Sequence, residues 1–187
     1  MGIDDARSMA AQVESRTLTQ SPWLPPTPEE LVRAVRKCLL TAADEDILIN
    51  PQYQIHKLLK MDKKEGRAGS MVAILMGGAT IDKGQETDEF FLRRDGARIS
   101  FGVTLMYGDG GAPGLVSFRF SLRFPDGVSP RWVRFDLNER AGDPLLEPRC
   151  HAHSGADCLR IAIPLMGPTE ILGKLLHGMP VPGPPLS

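Results

Sequence analysis

The sequence predicts an α+β fold, a single domain in which an antiparallel β-meander sheet is backed by two or three helices. Three observations predict it. From about residue 70 onward the apolar period changes from about 3.6 to 2, the period of a half-buried strand, most clearly over 99–107, 115–124 and 131–137. Two Gly/Pro-rich connections, "GDGGAPG" and "PDGVSP", separate three clean alternations, as hairpin turns do. The 187 residues are enough for one domain with a real core and too few for two comfortable ones.

The elements follow in order. Residues 1–26 read as an N-terminal arm: Ala6, Met9, Ala10 and Val13 lie on one side of a short helix. "SPWLPPTP" then breaks it, because prolines fit neither a helix interior nor a central strand. Trp23 and Leu24 are expected to pin this arm to the body. The domain proper spans 27–178. A helix starts at Thr27-Pro28-Glu29-Glu30, with Thr27 as N-cap, Pro28 in the first turn and Glu30 completing a capping box. Leu31, Val35, Cys38 and Leu39 follow on one face, which places Cys38 in the core. A second helix is expected over 51–62, presenting Tyr53, Ile55, Leu58 and Leu59.

"SMVAILMGG" has the continuous apolar look of a strand buried on both faces or covered by helices. Strands are then expected over 99–107, 115–124 and 131–137, with Phe101, Phe118, Phe120, Val133 and Phe135 in one core. The opposite face of the middle strand carries Arg119, Ser121 and Arg123, so it should meet solvent or a partner. Residues 149–153 and 158–163 are expected to be extended and joined by a turn at Ser154–Asp157. A last helix, 168–177, has Pro168 in its first turn and Gly178 at its stop, and it buries Ile171, Leu172, Leu175 and Leu176. Residues 179–187 read as a proline-rich tail.

Composition excludes several function classes. A net charge of −1 supplies no global field toward nucleic acid or an anionic membrane. No apolar run reaches the length of a membrane span, and "MGIDDARSMA" has neither the basic nor the apolar part of a signal peptide. Three cysteines, an odd number, suit free thiols in a reducing compartment, so a cytoplasmic location is expected.

"PRCHAHSGADCLRIAIP" holds two of the four histidines and two of the three cysteines. In an extended segment His151 and His153 project from one face, so both imidazoles reach a single transition-metal ion such as zinc. Glu147, Asp157 and Cys158 are the nearby candidates for a further ligand. Alternatively Cys158 is a nucleophile, its thiol made acidic by Arg160 with His151 and His153 close by. The plain alternative is a structural hairpin whose histidines pair across strands. "GDGGAPG" and "MGGATIDKG" lack phosphate-loop spacing.

Gly155-Ala156-Asp157-Cys158-Leu159 resembles the active-site stretch of ubiquitin-conjugating enzymes. "FRFSLRFPDGVSPRWVRF" resembles the strand–proline–strand that precedes it, so the likeness spans about 118–176. The resemblance implies Cys158 as a thioester-forming residue. His151-Ala152-His153 stands where that family has His-Pro-Asn, so the oxyanion-stabilising asparagine is absent.

No catalytic constellation is complete in the sequence. The leading expectation is therefore a non-catalytic interaction protein, an accessory component of a bacterial multi-protein system. Its partner is expected to be another protein rather than nucleic acid or a membrane, with Arg119, Arg123 and Arg134 as its binding surface. A thiol enzyme using Cys158 and a metal-dependent hydrolase using His151 and His153 are the alternatives.

Overall fold

The computed structural model describes residues 8–9, 11–12, 24–66, 70–78, 89–107, 113–139, 148–156 and 159–183. Three helices are labelled here: α1 (Pro28–Asp44), α2 (Gln52–Leu58) and α3 (Pro168–His177). The strands are β1 (Leu59–Glu65), β2 (Met71–Gly77), β3 (Phe91–Leu92), β4 (Arg98–Tyr107), β5 (Gly114–Arg123), β6 (Trp132–Leu137), β7 (Cys150–Ser154) and β8 (Arg160–Ala162). They form one 8-stranded antiparallel sheet in the order β1-β2-β4-β5-β6-β7-β8, with β3 pairing onto β4. The predicted α+β meander is the observed fold.

Local chemistry accounts for the helix boundaries. Thr27 is extended and its hydroxyl accepts from the Glu30 amide at 3.2 Å, so α1 starts where the capping residues predict. Leu31, Val35, Leu39 and Ala42 form its buried stripe. Pro168 opens α3, and the Gly178 amide closes it on the Lys174 carbonyl at 2.8 Å. Arg93 completes the end of α3 from across the domain. Its Nη1 donates to the carbonyls of Leu175 at 2.6 Å and Met179 at 2.7 Å, and its Nη2 pairs with Asp95. A cation among the last carbonyls of a helix satisfies acceptors that the helix itself leaves open.

All three helices lie against one face of the sheet. Their apolar stripes merge with Leu75, Ile99, Phe101, Val103, Phe118, Phe120, Leu122, Phe135 and Leu137 into a single core. Phe91, Phe101 and Phe120 stack with centroids 5.8 and 5.2 Å apart, and Phe118 meets Phe120 edge-on at 5.7 Å. Gly77 lies over the Phe101 ring, where any side chain would collide with it.

Three expectations need correction. The helix expected over 51–62 ends at Leu58, and Leu59 begins β1 by pairing with Gly77. From Leu59 on, the hairpin ladder to β2 continues to Glu65 and outcompetes another helical turn. Tyr53 accordingly points to solvent, while Ile55, Leu58 and Leu59 are buried. Cys38 is only half-buried: it flanks the core in a groove between α1 and α3 rather than entering it. Of the two alternatives for "SMVAILMGG", burial on both faces is not found: Ala73, Leu75 and Gly77 face the core under the helices, while Val72, Ile74 and Met76 are half-buried on the far face.

The ends can be followed in part. Leu24 packs against the core as expected, and Trp23 lies outside the described residues. Met179 and Val181 also pack on the core, so the first residues of the tail are held by the body. No described helix is long and apolar enough to cross a membrane.

Candidate functional site

The register of β5, β6 and β7 assembles a polar cluster on the face away from the helices. Asp136 stands opposite Arg119 on β5 and opposite His151 on β7, while Arg134 stands opposite Ser121 and His153. Period-2 alternation therefore brings Arg119, Arg134, Asp136, His151 and His153 onto one surface. Cys150 and Ala152 face the other way, and Cys150 joins the core. The predicted extended pair is present as β7 and β8, with Gly155 at positive φ in the turn between them.

Asp136 is the centre of the cluster and is 5% exposed. Arg134 Nε donates to its Oδ2 at 2.7 Å, and Arg119 Nε approaches Oδ1 at 3.4 Å. His153 Nε2 lies 3.3 Å and His151 Nε2 3.9 Å from Oδ2. Both rings are 2% exposed and meet edge-on, with centroids 4.8 Å apart. The Arg134 guanidinium also lies over Trp132 at 5.2 Å, and Trp132 tilts toward His153 at 6.1 Å.

The two imidazoles have different second partners. His151 Nδ1 sits 2.5 Å from the Pro148 carbonyl, which can only accept, so Nδ1 carries the proton and Nε2 faces Asp136. His153 Nδ1 is buried without a hydrogen bond of ordinary geometry among the described residues, although the backbone at Ala156 favours its protonated form. Burial pushes the pKa of His151 below that of a free imidazole, against the opposing pull of Pro148 and Asp136. Burial, then the neighbouring Arg134, does the same to His153.

A recess of about 300 Å³ adjoins the cluster, lined by Gly102, Thr104, Ser117, Arg119, Asp136 and Asn138 among others. Gly102 lines it directly opposite Arg119. Asp136, His151 and His153 place potential ligand atoms within 4.8 Å of one another, and all three residues are buried.

The predicted site residues divide into three groups. His151 and His153 share a face as expected, but they are buried rather than displayed. Arg119 and Arg134 are engaged with Asp136, while Arg123 lies at the end of β5 opposite Trp132. Cys158, Asp157 and Glu147 lie outside the described residues. Sequence reasoning missed Asp136. Its signal was present in "RWVRFDL", where alternation sets Arg134 and Asp136 on the polar face, but only the pairing with β7 makes it a partner of the histidines. The whole chain matches no protein-family model, no curated protein and no solved structure.

Proposed function

We propose that this chain is a non-catalytic interaction protein, an accessory component that docks another protein on the sheet face away from its helices. The composition of that face carries the reading. Across β2 and β4 it presents Val72, Ile74, Met76 and Met106, and across β4, β5 and β6 it presents Arg98, Arg119, Arg123 and Trp132. Met106 is 49% exposed, and Val72, Ile74 and Met76 are half-buried with no helix of α1–α3 on that side. Methionine, tryptophan and arginine are enriched at protein interfaces and lysine is depleted; here the strand lysines are confined to β1. Arg119 and Arg134 are braced by Asp136, so less side-chain freedom is lost when they meet a partner. A half-apolar surface on a chain of net charge −1 suits a protein better than a nucleic acid.

The test is co-purification of the full chain from its source cells, followed by quantitative identification of the proteins bound. The comparison sets wild type against the double variant Ile74→Glu/Met106→Glu and against Tyr53→Glu at an exposed position of α2. One partner retained by wild type and Tyr53→Glu, lost with the double variant and re-bound when purified supports the reading. Recovery of the same proteins by all three sinks it.

A further inference from the structure

We infer that Asp136, His151 and His153 form a binding site for one divalent first-row transition-metal ion of the zinc class. This goes beyond protein docking and rests on separate observations.

The first is that potential ligand atoms converge: Asp136, His151 and His153, all buried, place one each within 4.8 Å of one another. Nδ1 of His151 donates to Pro148, so Nε2 of the neutral ring carries a lone pair, and that lone pair faces the Asp136 carboxylate at 3.9 Å. At that distance the two share no hydrogen bond, so the Nε2 lone pair is open to an ion beside the carboxylate. His153 adds a third donor 3.3 Å from the same oxygen. Ligands about 2.0–2.2 Å from one ion lie about 3–4 Å from each other, so these separations fit a shared ion with only small adjustments. Two imidazoles and one carboxylate are a borderline-soft set suited to Zn²⁺, Fe²⁺, Co²⁺ or Ni²⁺, and not to an oxygen-seeking ion such as Ca²⁺.

The second observation is support for the ligands. Pro148 fixes the orientation of the His151 ring, as an outer partner does in metal sites. The Arg119 guanidinium holds Asp136 at Oδ1 and the Arg134 guanidinium at Oδ2. Their charge opposes a cation, but each carboxylate oxygen has two lone pairs, so Oδ2 can serve Arg134 and an ion together.

The competing arrangement is a closed hydrogen-bonded network with no ion. It leaves His151 Nε2 beyond hydrogen-bonding distance of Asp136, the carboxylate it faces. Three protein ligands leave coordination positions open, and the recess beside Asp136 gives small molecules an approach to that side.

The test uses the full chain purified without metal-affinity resin. Metal content is measured by mass spectrometry, and the stripped protein is titrated with Zn²⁺ and with Co²⁺, whose visible absorption reports its ligands. About one equivalent should bind, with a cobalt spectrum of low coordination number and a rise in melting temperature. His151→Ala and Asp136→Asn should each weaken binding at least tenfold, while His177→Ala at the exposed end of α3 should not change it. Should a cluster variant fail to fold, competition between Zn²⁺ and Co²⁺ in wild type decides the matter. Substoichiometric binding with no thermal response overturns the inference, as does binding unchanged in the folded cluster variants.

Discussion

The two faces of β5 are built from alternate residues of one ten-residue strand, yet they are held in different ways. Phe118, Phe120 and Leu122 enter the core beneath the helices, where contact is non-directional and any well-shaped apolar neighbour serves. Ser117, Arg119 and Ser121 lie on the far face, where Arg119 pairs with a particular carboxylate, that of Asp136 on β6. Burial of the first set follows from its own chemistry. Burial of the cluster beside the second depends on which strand lies next and in what register, because a slip of one residue would send Asp136, His151 and His153 into the core.

The largest expected effect sharpens the contrast from the core side. Phe120→Ala removes the ring that stacks on Phe101 and meets Phe118 edge-on, and should cost about 3–5 kcal/mol in urea denaturation. Arg119→Ala on the same strand should cost under about 1 kcal/mol, since that side chain is 42% exposed. Similar losses at the two positions would break the distinction between the faces.

Removing the centre of the polar cluster should fall between these values. Asp136→Ala deprives Arg134 of its buried acceptor and removes the carboxylate beside His153, and should cost about 2–3 kcal/mol. Asp136→Asn keeps the volume and one acceptor oxygen, so it should cost less, and the difference reports the carboxylate charge. Equal stability of all three proteins would show that the cluster contributes nothing to folding.

The histidines give the far face a pH signature that the core lacks. Both are held below the free imidazole pKa in the folded metal-free protein, chiefly by burial. The unfolded chain therefore takes up protons first as pH falls through about 6.5. Stability is fully present above that value and declines below it, until the folded-state pKa values are passed. Denaturation of metal-free protein between pH 7.5 and 5 should show this decline, and the His151→Gln/His153→Gln variant should have a flatter profile. An unchanged slope would mean the rings titrate as though solvated.

The difference between the faces also explains what was legible in the sequence. The capping residues of α1, the Pro168 start of α3 and the three central strands are local patterns, and the structure follows them closely. The paired histidines were equally visible, because their common face needs only a period of 2. Asp136 was not singled out, since its role depends on a β6–β7 pairing across residues 138–149. The boundary between α2 and β1 failed for a related reason: Leu58 and Leu59 suit either state, and the partner strand β2 decides. Cys38 sits on the apolar stripe of α1, but the packing of α3 places it at a groove.

The smallest effect on stability is expected at Met106, and it bears most directly on the far face. Met106 stands opposite Val72 and Gly114, 49% exposed, with no buried hydrogen bond and no place in the core. Replacing it with serine removes contacts largely open to water, so the midpoint of denaturation should move by no more than about 0.5 kcal/mol. A loss above about 1.5 kcal/mol would mean that part of this chain already covers the β2–β4 surface, leaving it unavailable to a partner. If stability is unchanged while partner binding weakens, the surface is open and used. Those two measurements on one substitution separate a face closed by its own chain from one kept for another protein.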